Sequence, residues 1–212
     1  MDNELSLTNM GLRYKTNKNS TYRERHDYLP IYERYLRTRR DASAVCEIGI
    51  YGGMSLRLWA EYFPKAQVYG VDINPHTLFK APRITTLLAD QSRAEEIHNR
   101  LLPYAPFDMI VDDGGHTMAQ QQISLGALFP LVKPGGLYVI EDLHTSHPEH
   151  VNPFNKTHTM RTTLFAVQQL HSTGIFSSDF VPDKAASYVS EHTNVCNVEC
   201  GRISEIACII KR

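Results

Sequence analysis

The sequence predicts a doubly wound, Rossmann-like α/β fold, in which a mostly parallel sheet carries helices on both faces. Short apolar runs alternate with segments whose apolar residues recur at helical spacing, a pattern typical of successive βα units. Several of these runs end in acidic residues or glycines, and no repeat or shift in composition divides the chain. We therefore expect one domain over residues 1–212, with an N-terminal helical or lid segment (1–40) and a core (41–212).

The first predicted strand of the core leads into a glycine-rich turn, V-C-E-I-G-I-Y-G-G-M-S-L (Val45–Leu56). The glycines allow the backbone to approach a ligand closely, and a helix is predicted from Ser55. The spacing G-x-x-G-G differs from the dinucleotide fingerprint G-x-G-x-x-G, which disfavours NAD. Glu47, two residues before Gly49, suits a ligand with a positive charge or an amino group, and S-adenosylmethionine has both. Such a turn also occurs in α/β proteins merely to connect a strand to a helix.

Polar residues follow the next two predicted strands. The strand Ala66–Val71 ends at Asp72, where doubly wound folds hold a ribose through its hydroxyls. The strand Ile84–Leu88 is followed by Asp90 and Gln91, which are placed to contact the edge of an adenine ring. Each position has a structural alternative, because such residues also cap the helices that follow.

Two further predicted strands, Phe107–Val111 and Leu137–Ile140, each end in a pair of carboxylates that a histidine follows. Because the carboxyl ends of parallel strands meet at one edge of a sheet, these acids can converge, and they repel one another unless a cation or proton is present. An all-oxygen set of ligands favours Mg²⁺ or Mn²⁺ over zinc. Either pair alone also fits an ordinary turn or a solvated loop. The residues are Asp112, Asp113 and His116 after one strand, and Glu141, Asp142 and His144 after the other.

The two histidines are candidates for a general base, because the usual pKa of histidine lies near physiological pH. His116 is the first choice and His144 the second. The polar segment Thr145–Thr159 is long for a connection in a compact domain, which indicates a lid or substrate loop.

The remaining segments complete the predicted architecture. Apolar residues at helical spacing predict helices over His26–Leu36, Met54–Tyr62, Arg93–Leu102 and Arg161–Leu170. Near the end of the chain, Ala185–Glu199 and Ile203–Lys211 are predicted to form two strands of a closing antiparallel hairpin.

Composition limits the partners. The formal net charge is −1, so the total charge indicates neither nucleic acid nor an anionic membrane as a partner, and a small molecule is expected. Between Gly11 and Arg40 there are nine Lys or Arg against three acids, which fits a solvated helix face, an RNA-binding arm or a guide for an acidic ligand. We expect four reduced structural cysteines and a cytoplasmic location, since the chain has no 20-residue apolar run and a polar start.

These residues together resemble a known family. The run Cys46–Leu56, Asp72, Asp90–Ser92 and the strings V-D-D-G-G-H and V-I-E-D-L-H-T-S resemble the class I S-adenosylmethionine-dependent methyltransferases, and especially the metal-dependent macrolide sugar O-methyltransferases. The string K-T-N-K (Lys15–Lys18) is similar to that family's N-terminal segment, where T-D-K is usual, and G-G-H stands here for the usual G-S-H.

The resemblance implies a reaction and a set of site residues. It implies metal-assisted methylation of a hydroxyl on a sugar or glycosylated natural product, with S-adenosylmethionine and Mg²⁺ (or Mn²⁺) as cofactors and His116 as the base. It places Glu47 and Asp112 near the methionyl amine, Asp72 on the ribose and Asp90 near adenine. The metal would be held by Asp113, Glu141 and Asp142, and the cofactor by Glu47, Gly49, Ser55, Asp72, Asp90, Gln91 and Asp112.

Other functions stay open at this stage. A catechol would satisfy the same metal geometry as a sugar diol. Two other classes of protein are alternatives. One is an NAD-dependent oxidoreductase, and the other is a module that holds the cofactor and binds RNA through its basic first forty residues. The sequence also leaves open whether the chain forms a homo-oligomer.

Overall fold

The computed structural model describes residues 6–19, 26–150, 154 and 158–212. Eight strands form one sheet in the order β3-β4-β2-β1-β5-β6-β8-β7. In chain order the strands are β1 (Ala44–Ile48), β2 (Gln67–Asp72), β3 (Lys80–Ala81), β4 (Ile84–Leu88), β5 (Phe107–Asp112), β6 (Val132–Ile140), β7 (Thr193–Cys200) and β8 (Glu205–Lys211).

Strands β4, β2, β1, β5 and β6 are parallel to their neighbours in this set, whereas β8 and β7 run antiparallel at one edge and β3 at the other. The predicted mostly parallel sheet with a C-terminal antiparallel hairpin is confirmed. Because five neighbouring strands point the same way, their carboxyl ends form one edge, and the loops that carry the polar residues meet there.

Seven helices within the described residues cover the two faces of the sheet. They are α1 (Leu7–Tyr14), α2 (Leu29–Leu36), α3 (Met54–Tyr62), α4 (Ala94–Leu101), α5 (Met118–Leu128), α6 (Thr163–Thr173) and α7 (Asp183–His192). Helix α5 shows how a local signal starts a helix, since Thr117 and Gln120 form a reciprocal capping box at its N-terminus. None of the helices described combines the length and apolar character needed to cross a membrane.

The buried apolar side chains form two clusters, one on each face of the sheet. Helices α1, α2 and α3 pack on one face, with Trp59 and Tyr32 among the largest buried side chains. Helices α4 to α7 contribute to the cluster on the other face. Side chains of β1 alternate between them, so that Cys46 belongs to the second cluster while Val45 belongs to the first. This alternation also directs Glu47 towards the α1–α3 face.

One predicted element is wrong in type. The predicted strand Ala185–Glu199 begins with helix α7, and only from Thr193 onward does the chain extend as β7. Ala186 and Val189 are buried at a spacing of three residues, which is a helical period. Much of the predicted loop Thr145–Thr159 lies at residues 151–153 and 155–157, outside the described residues.

Candidate active site

A cavity of about 970 Å³ lies at the carboxyl edge of the parallel strands. Its wall is built by loops that follow β1, β2, β4, β5 and β6, together with the segment that leaves α1. The structure brings eight of the predicted site residues to this one cavity. They are Gly49, Ser55, Asp72, Asp90, Gln91, Asp113, His116 and Asp142.

At the turn after β1 the backbone approaches another strand end very closely. Gly49 has a φ of +92°, and a Cβ atom there would lie 2.1 Å from the carbonyl oxygen of Asp113. The amide of Asp113 in turn donates to the carbonyl oxygen of Ile48 over 3.0 Å. Gly49 is therefore required by both its conformation and its surroundings, because L side chains disfavour this φ and no room exists for one.

The two carboxylates at this end of the cavity are held by nearby groups. Asp72 accepts hydrogen bonds from the amides of Ile50 and Asn74, each at 2.9 Å. Asp90 accepts from the amide of Ser92 at 2.9 Å and from its hydroxyl at 2.7 Å. Both carboxylates thus accept hydrogen bonds from backbone amides. We call this region, comprising Gly49, Ser55, Asp72, Asp90 and Gln91, the cofactor corner.

Gln91 links the cofactor corner to the end of β5. Its amide nitrogen donates to Asp112 Oδ1 at 3.1 Å and to Ser124 Oγ at 3.2 Å, while its oxygen accepts from the amide of Gly115 at 2.7 Å. Asp112 is completely buried, and this burial raises its pKa to about 7. Gln91 thereby fixes the loop that carries Asp113 and His116.

Two predicted cofactor residues lie beneath the cavity wall instead of on it. Glu47 is fully buried and accepts from the indole N–H of Trp59 at 2.7 Å. Neither Glu47 nor Asp112 is among the described residues that line the cavity. The physical reason for Glu47 is strand alternation, which turns its side chain towards the face covered by α3. Direct contact of either carboxylate with a cofactor stays a prediction.

The opposite end of the cavity carries a second cluster, which we call the acidic end: Asp113, His116 and Asp142. One ligand atom from each of the three lies within 4.8 Å of the others. His116 Nε2 is 3.5 Å from Asp142 Oδ2 and 3.9 Å from Asp113 Oδ1. The carboxyl ends of β5 and β6 thus converge as the sequence predicts.

The backbone at the acidic end is strained. His116 and Asp142 have φ values of +57° and +58°, a region that side chains other than glycine adopt rarely. Residues held in this region are concentrated at functional sites, where the surrounding structure maintains them. Tyr28 contributes to that support, because its hydroxyl donates to Asp142 Oδ1 at 2.9 Å and accepts from the Asp142 amide at 3.2 Å.

The third predicted metal ligand, Glu141, has different partners. It is 2% exposed, and both of its oxygens accept from the Lys18 ammonium, at 2.8 and 2.9 Å. The Tyr32 hydroxyl also donates to Glu141. In this structure Asp113 and Asp142 come together with His116, whereas both oxygens of Glu141 face Lys18, and the predicted role of Glu141 as a metal ligand stays a prediction. Burial and the need to neutralise a buried carboxylate explain the difference.

Lys18 is the residue that the sequence analysis missed. Its ammonium lies 2.5 Å from Asp113 Oδ2 and 3.1 Å from Glu47 Oε1, in addition to its contacts with Glu141. Burial by itself would lower the pKa of Lys18, but Asp113, Glu141 and Glu47 together raise it well above its usual value. The string K-T-N-K gave a signal that this segment matters, although nothing local to it indicates which acids the lysine meets.

His144, the second candidate base, lies apart from the cavity wall. Its Nδ1 atom is 2.7 Å from the hydroxyl oxygen of Ser204, and burial lowers its pKa. His26, which the sequence analysis left without a role, lies closer to the acidic end, with its Nδ1 atom 3.2 Å from Asp142 Oδ1. His116 is therefore the predicted base that the structure places in the cavity.

The acidic end fits a divalent cation. Lys18 contacts the carboxylates of Glu47, Asp113 and Glu141, and a fourth carboxylate, that of Asp142, lies beside His116, so among the described residues the acids of this cluster outnumber its lysine. Carboxylate oxygens are the ligands that Mg²⁺ and Mn²⁺ prefer, and Asp113 and Asp142 present them to the cavity.

Comparison with known proteins agrees with this geometry. Residues 46–143 match a methyltransferase domain family. The chain is 40% identical over 149 residues to mycinamicin VI 2''-O-methyltransferase of Micromonospora griseorubida, covering 66% of this chain and 37% of that protein. It is 34% identical over 197 residues to 8-demethyl-8-(2-methoxy-alpha-L-rhamnosyl)-tetracenomycin-C 3'-O-methyltransferase of Streptomyces olivaceus, covering 85% of this chain and 50% of that protein.

A solved structure gives the same result. The MycE methyltransferase from the mycinamycin biosynthetic pathway, in complex with Mg, SAH and mycinamycin VI, superposes with a TM-score of 0.75 at 31% identity. The match covers 97% of this chain and 54% of MycE, so the chain spans about half the length of its relatives, or less. The chain therefore contains a methyltransferase domain and resembles the S-adenosylmethionine-dependent macrolide sugar O-methyltransferases.

Proposed function

We propose that this chain transfers the methyl group of S-adenosylmethionine to a hydroxyl of a sugar or glycosylated natural product, with the help of Mg²⁺ or Mn²⁺. One observation carries the proposal: a single cavity joins a glycine turn and the polar residues Asp72, Asp90 and Gln91 to a cluster of side chains that could hold a metal ion. The relatives named above, which are sugar O-methyltransferases, support the same reaction.

The cofactor corner supplies the contacts expected for S-adenosylmethionine. Asp72 would accept from the ribose hydroxyls, and Asp90 and Gln91 would contact the adenine ring; all three line the cavity. Gly49 and Ser55, which also line the cavity, would contact the methionyl group. Glu47 and Asp112 lie beneath the wall, and a contact of either carboxylate with the methionyl amine stays a prediction.

The acidic end supplies the residues for metal binding and proton transfer. Asp113 and Asp142 would hold the divalent ion, and Glu141 would join them only where Lys18 releases one of its oxygens. A bound divalent ion supplies a Lewis acid that lowers the pKa of a substrate hydroxyl and orients it. His116 Nε2 accepts the proton, because a hard cation prefers the carboxylate oxygens and leaves the imidazole nitrogen available as a base.

The acceptor is the least constrained part of the proposal. Sugar hydroxyls are poor nucleophiles with very high pKa values, so metal coordination combined with a base is the remedy that this cavity offers. A catechol presents two adjacent oxygens in a similar way and is the alternative acceptor. The cytoplasmic location, a single domain over residues 1–212 and homo-oligomer formation stay predictions.

Calorimetric titration tests the cofactor first. S-adenosylmethionine, S-adenosylhomocysteine and NAD are titrated in parallel, each with and without MgCl₂. We expect the first two ligands to bind and NAD to show no heat of binding. Binding of NAD alone would contradict the proposed cofactor and would favour an oxidoreductase.

Methyl transfer is then followed by mass spectrometry with a panel of glycosides and catechols. We expect a gain of one methyl group on a glycoside that requires Mg²⁺ and is abolished by a chelator. Transfer to catechols alone would replace the proposed acceptor class. Strongly salt-dependent RNA binding without metal-dependent transfer would favour the RNA-binding module.

A further inference from the structure

Lys18 occupies an unusual position, because a fully buried ammonium sits among carboxylates that also border the proposed metal site. Its side chain is 1% exposed, and it contacts three acids from three different strand ends, Glu47, Asp113 and Glu141. Burying an isolated ammonium is very costly, so a lysine persists in such a place only where fixed negative charges surround it.

Asp113 is the residue that connects Lys18 to the acidic end. Its Oδ2 atom is 2.5 Å from the Lys18 ammonium, while its Oδ1 atom faces His116 Nε2 at 3.9 Å. The lysine therefore fixes the orientation of Asp113 and leaves one oxygen for the cavity. It also donates to both oxygens of Glu141.

The same lysine anchors the segment that closes one wall of the cavity. The four residues before it, Tyr14–Asn17, all line the cavity. The Lys18 carbonyl oxygen accepts from the Tyr28 amide at 2.9 Å, and the hydroxyl of Tyr28 contacts Asp142. Lys18 thus ties this wall of the cavity to the acidic end from two sides.

We propose that Lys18 is a positioning residue that acts as an internal cation: it neutralises Glu47 and Glu141, orients Asp113 and thereby limits how strongly and how deeply a divalent cation binds. This inference rests on the metal site of the proposed function. A fixed positive charge beside the site lowers the attraction for a second cation, and the Lys18 ammonium competes with that cation for the oxygens of Asp113 and Glu141. Lys18 thereby keeps the affinity for the metal moderate and holds the carboxylates that would bind the metal in a fixed arrangement.

The test is a comparison of metal affinity between variants of the full chain, without any substrate. MgCl₂ and MnCl₂ are titrated by calorimetry, and free Mn²⁺ is followed by electron paramagnetic resonance. The variant Lys18→Met keeps the length of the side chain and removes its charge. Lys65→Met, at an exposed surface position, is the control with the same change in net charge.

We expect Lys18→Met to bind Mn²⁺ more tightly than the wild type, on the order of tenfold or more, because a repelling charge is removed and Glu141 is freed. Lys65→Met should match the wild type. The variant should also melt at a lower temperature without metal and regain more stability than the wild type when Mn²⁺ is added. Equal or weaker Mn²⁺ binding by Lys18→Met would overturn the inference.

A second variant keeps the test decisive if Lys18→Met does not fold. Lys18→Met/Glu47→Gln removes one buried charge of each sign, and its Mn²⁺ affinity should lie between those of the wild type and Lys18→Met. Where that single variant is unfolded, a gain over the wild type supports the inference and no gain overturns it. If the wild type binds no metal but a Lys18 variant binds Mn²⁺ tightly, only the metal dependence of the proposed function is contradicted. No binding by any folded variant would overturn both.

Discussion

The cofactor corner and the acidic end lie in one cavity, yet they are built in different ways. At the cofactor corner Asp72 and Asp90 accept from the amides of Asn74 and Ser92, each two residues away, and the more distant Ile50 amide lies only 22 residues from Asp72. At the acidic end Lys18 reaches Asp113 and Glu141 across 95 and 123 residues of chain. A local arrangement tolerates change in distant segments, whereas the acidic end depends on the fold as a whole.

The two regions also differ in how their charges are distributed. The cofactor corner holds separated carboxylates that solvent and backbone amides stabilise. The acidic end concentrates carboxylates that repel one another and so create a demand for cations. We expect changes at the acidic end to affect catalysis strongly and changes at the cofactor corner to affect cofactor affinity.

The largest effect is expected for Asp142→Asn. Asparagine tolerates the left-handed backbone found at this position and keeps an oxygen to accept from Tyr28, so the fold should be preserved. Loss of the charge should lower kcat on the order of a hundredfold or more. The affinity for S-adenosylhomocysteine should stay within about twofold of the wild type, since the change lies at the other end of the cavity.

Steady-state kinetics and calorimetry check this prediction together. Asp41→Asn, at an exposed position before β1, is the matched control and should leave both quantities unchanged. A kcat equal to that of the wild type would show that Asp142 takes no part in the reaction.

Gly49→Ala tests the point where the two regions touch. A methyl group there would overlap the Asp113 carbonyl oxygen at 2.1 Å and would also occupy a φ of +92°. Gly135→Ala is the control, because Gly135 has a φ of +73° but no atom within 4 Å of the added carbon. The control should lose only about 1–2 kcal/mol of unfolding free energy from backbone strain.

In urea denaturation Gly49→Ala should lose clearly more, by about a further 1–3 kcal/mol, because the strand ends must also move apart. It should weaken both cofactor and metal binding, whereas the control should change neither. Equal losses for the two variants would mean that the close approach seen at Gly49 has no energetic importance.

Asp72→Asn should have a smaller effect, confined to the cofactor corner. The amide oxygen can still accept from Ile50 or Asn74, but it accepts more weakly from a ribose hydroxyl than a carboxylate does. We expect the affinity for S-adenosylhomocysteine to fall about tenfold by calorimetry, with Mn²⁺ affinity unchanged. A loss of metal binding in this variant would contradict the independence of the two regions.

The smallest effect is expected where α1 docks onto α3. Glu61 accepts from the Tyr14 hydroxyl at 2.5 Å and from Arg13 at 2.6 Å, and these bonds, led by that of Tyr14, hold the pKa of Glu61 below its usual value. A carboxyl whose pKa is lowered by folding stabilises the protein above its unfolded-state pKa, and this contribution is lost as the pH falls through the folded-state pKa.

Glu61→Gln should therefore lose about 0.5 kcal/mol of unfolding free energy at pH 7, a small value because the pair is partly exposed, and the difference should vanish in acid. A double-mutant cycle with Tyr14→Phe isolates the shared contribution. A difference that grows as the pH falls would contradict the assigned sign.

Much of the fold could be predicted because its signals are local. The helix over Met54–Tyr62 and the strand over Ile84–Leu88 were predicted with the observed bounds, since apolar periodicity and flanking turn residues define both. The helix Asp183–His192 was missed because a short amphipathic stretch next to a real strand carries both periods at once.

The sequence by itself determined that acids and glycines follow parallel strands, and therefore that Asp72, Asp90, Asp113 and Asp142 lie at one edge of the sheet. Only the tertiary structure decided that Asp113 shares the Lys18 ammonium with Glu47 and Glu141. Lys18 looks like any solvent-exposed lysine in the sequence, because the energy that keeps its ammonium buried comes from Glu47, Asp113 and Glu141, which the folded sheet alone brings around it.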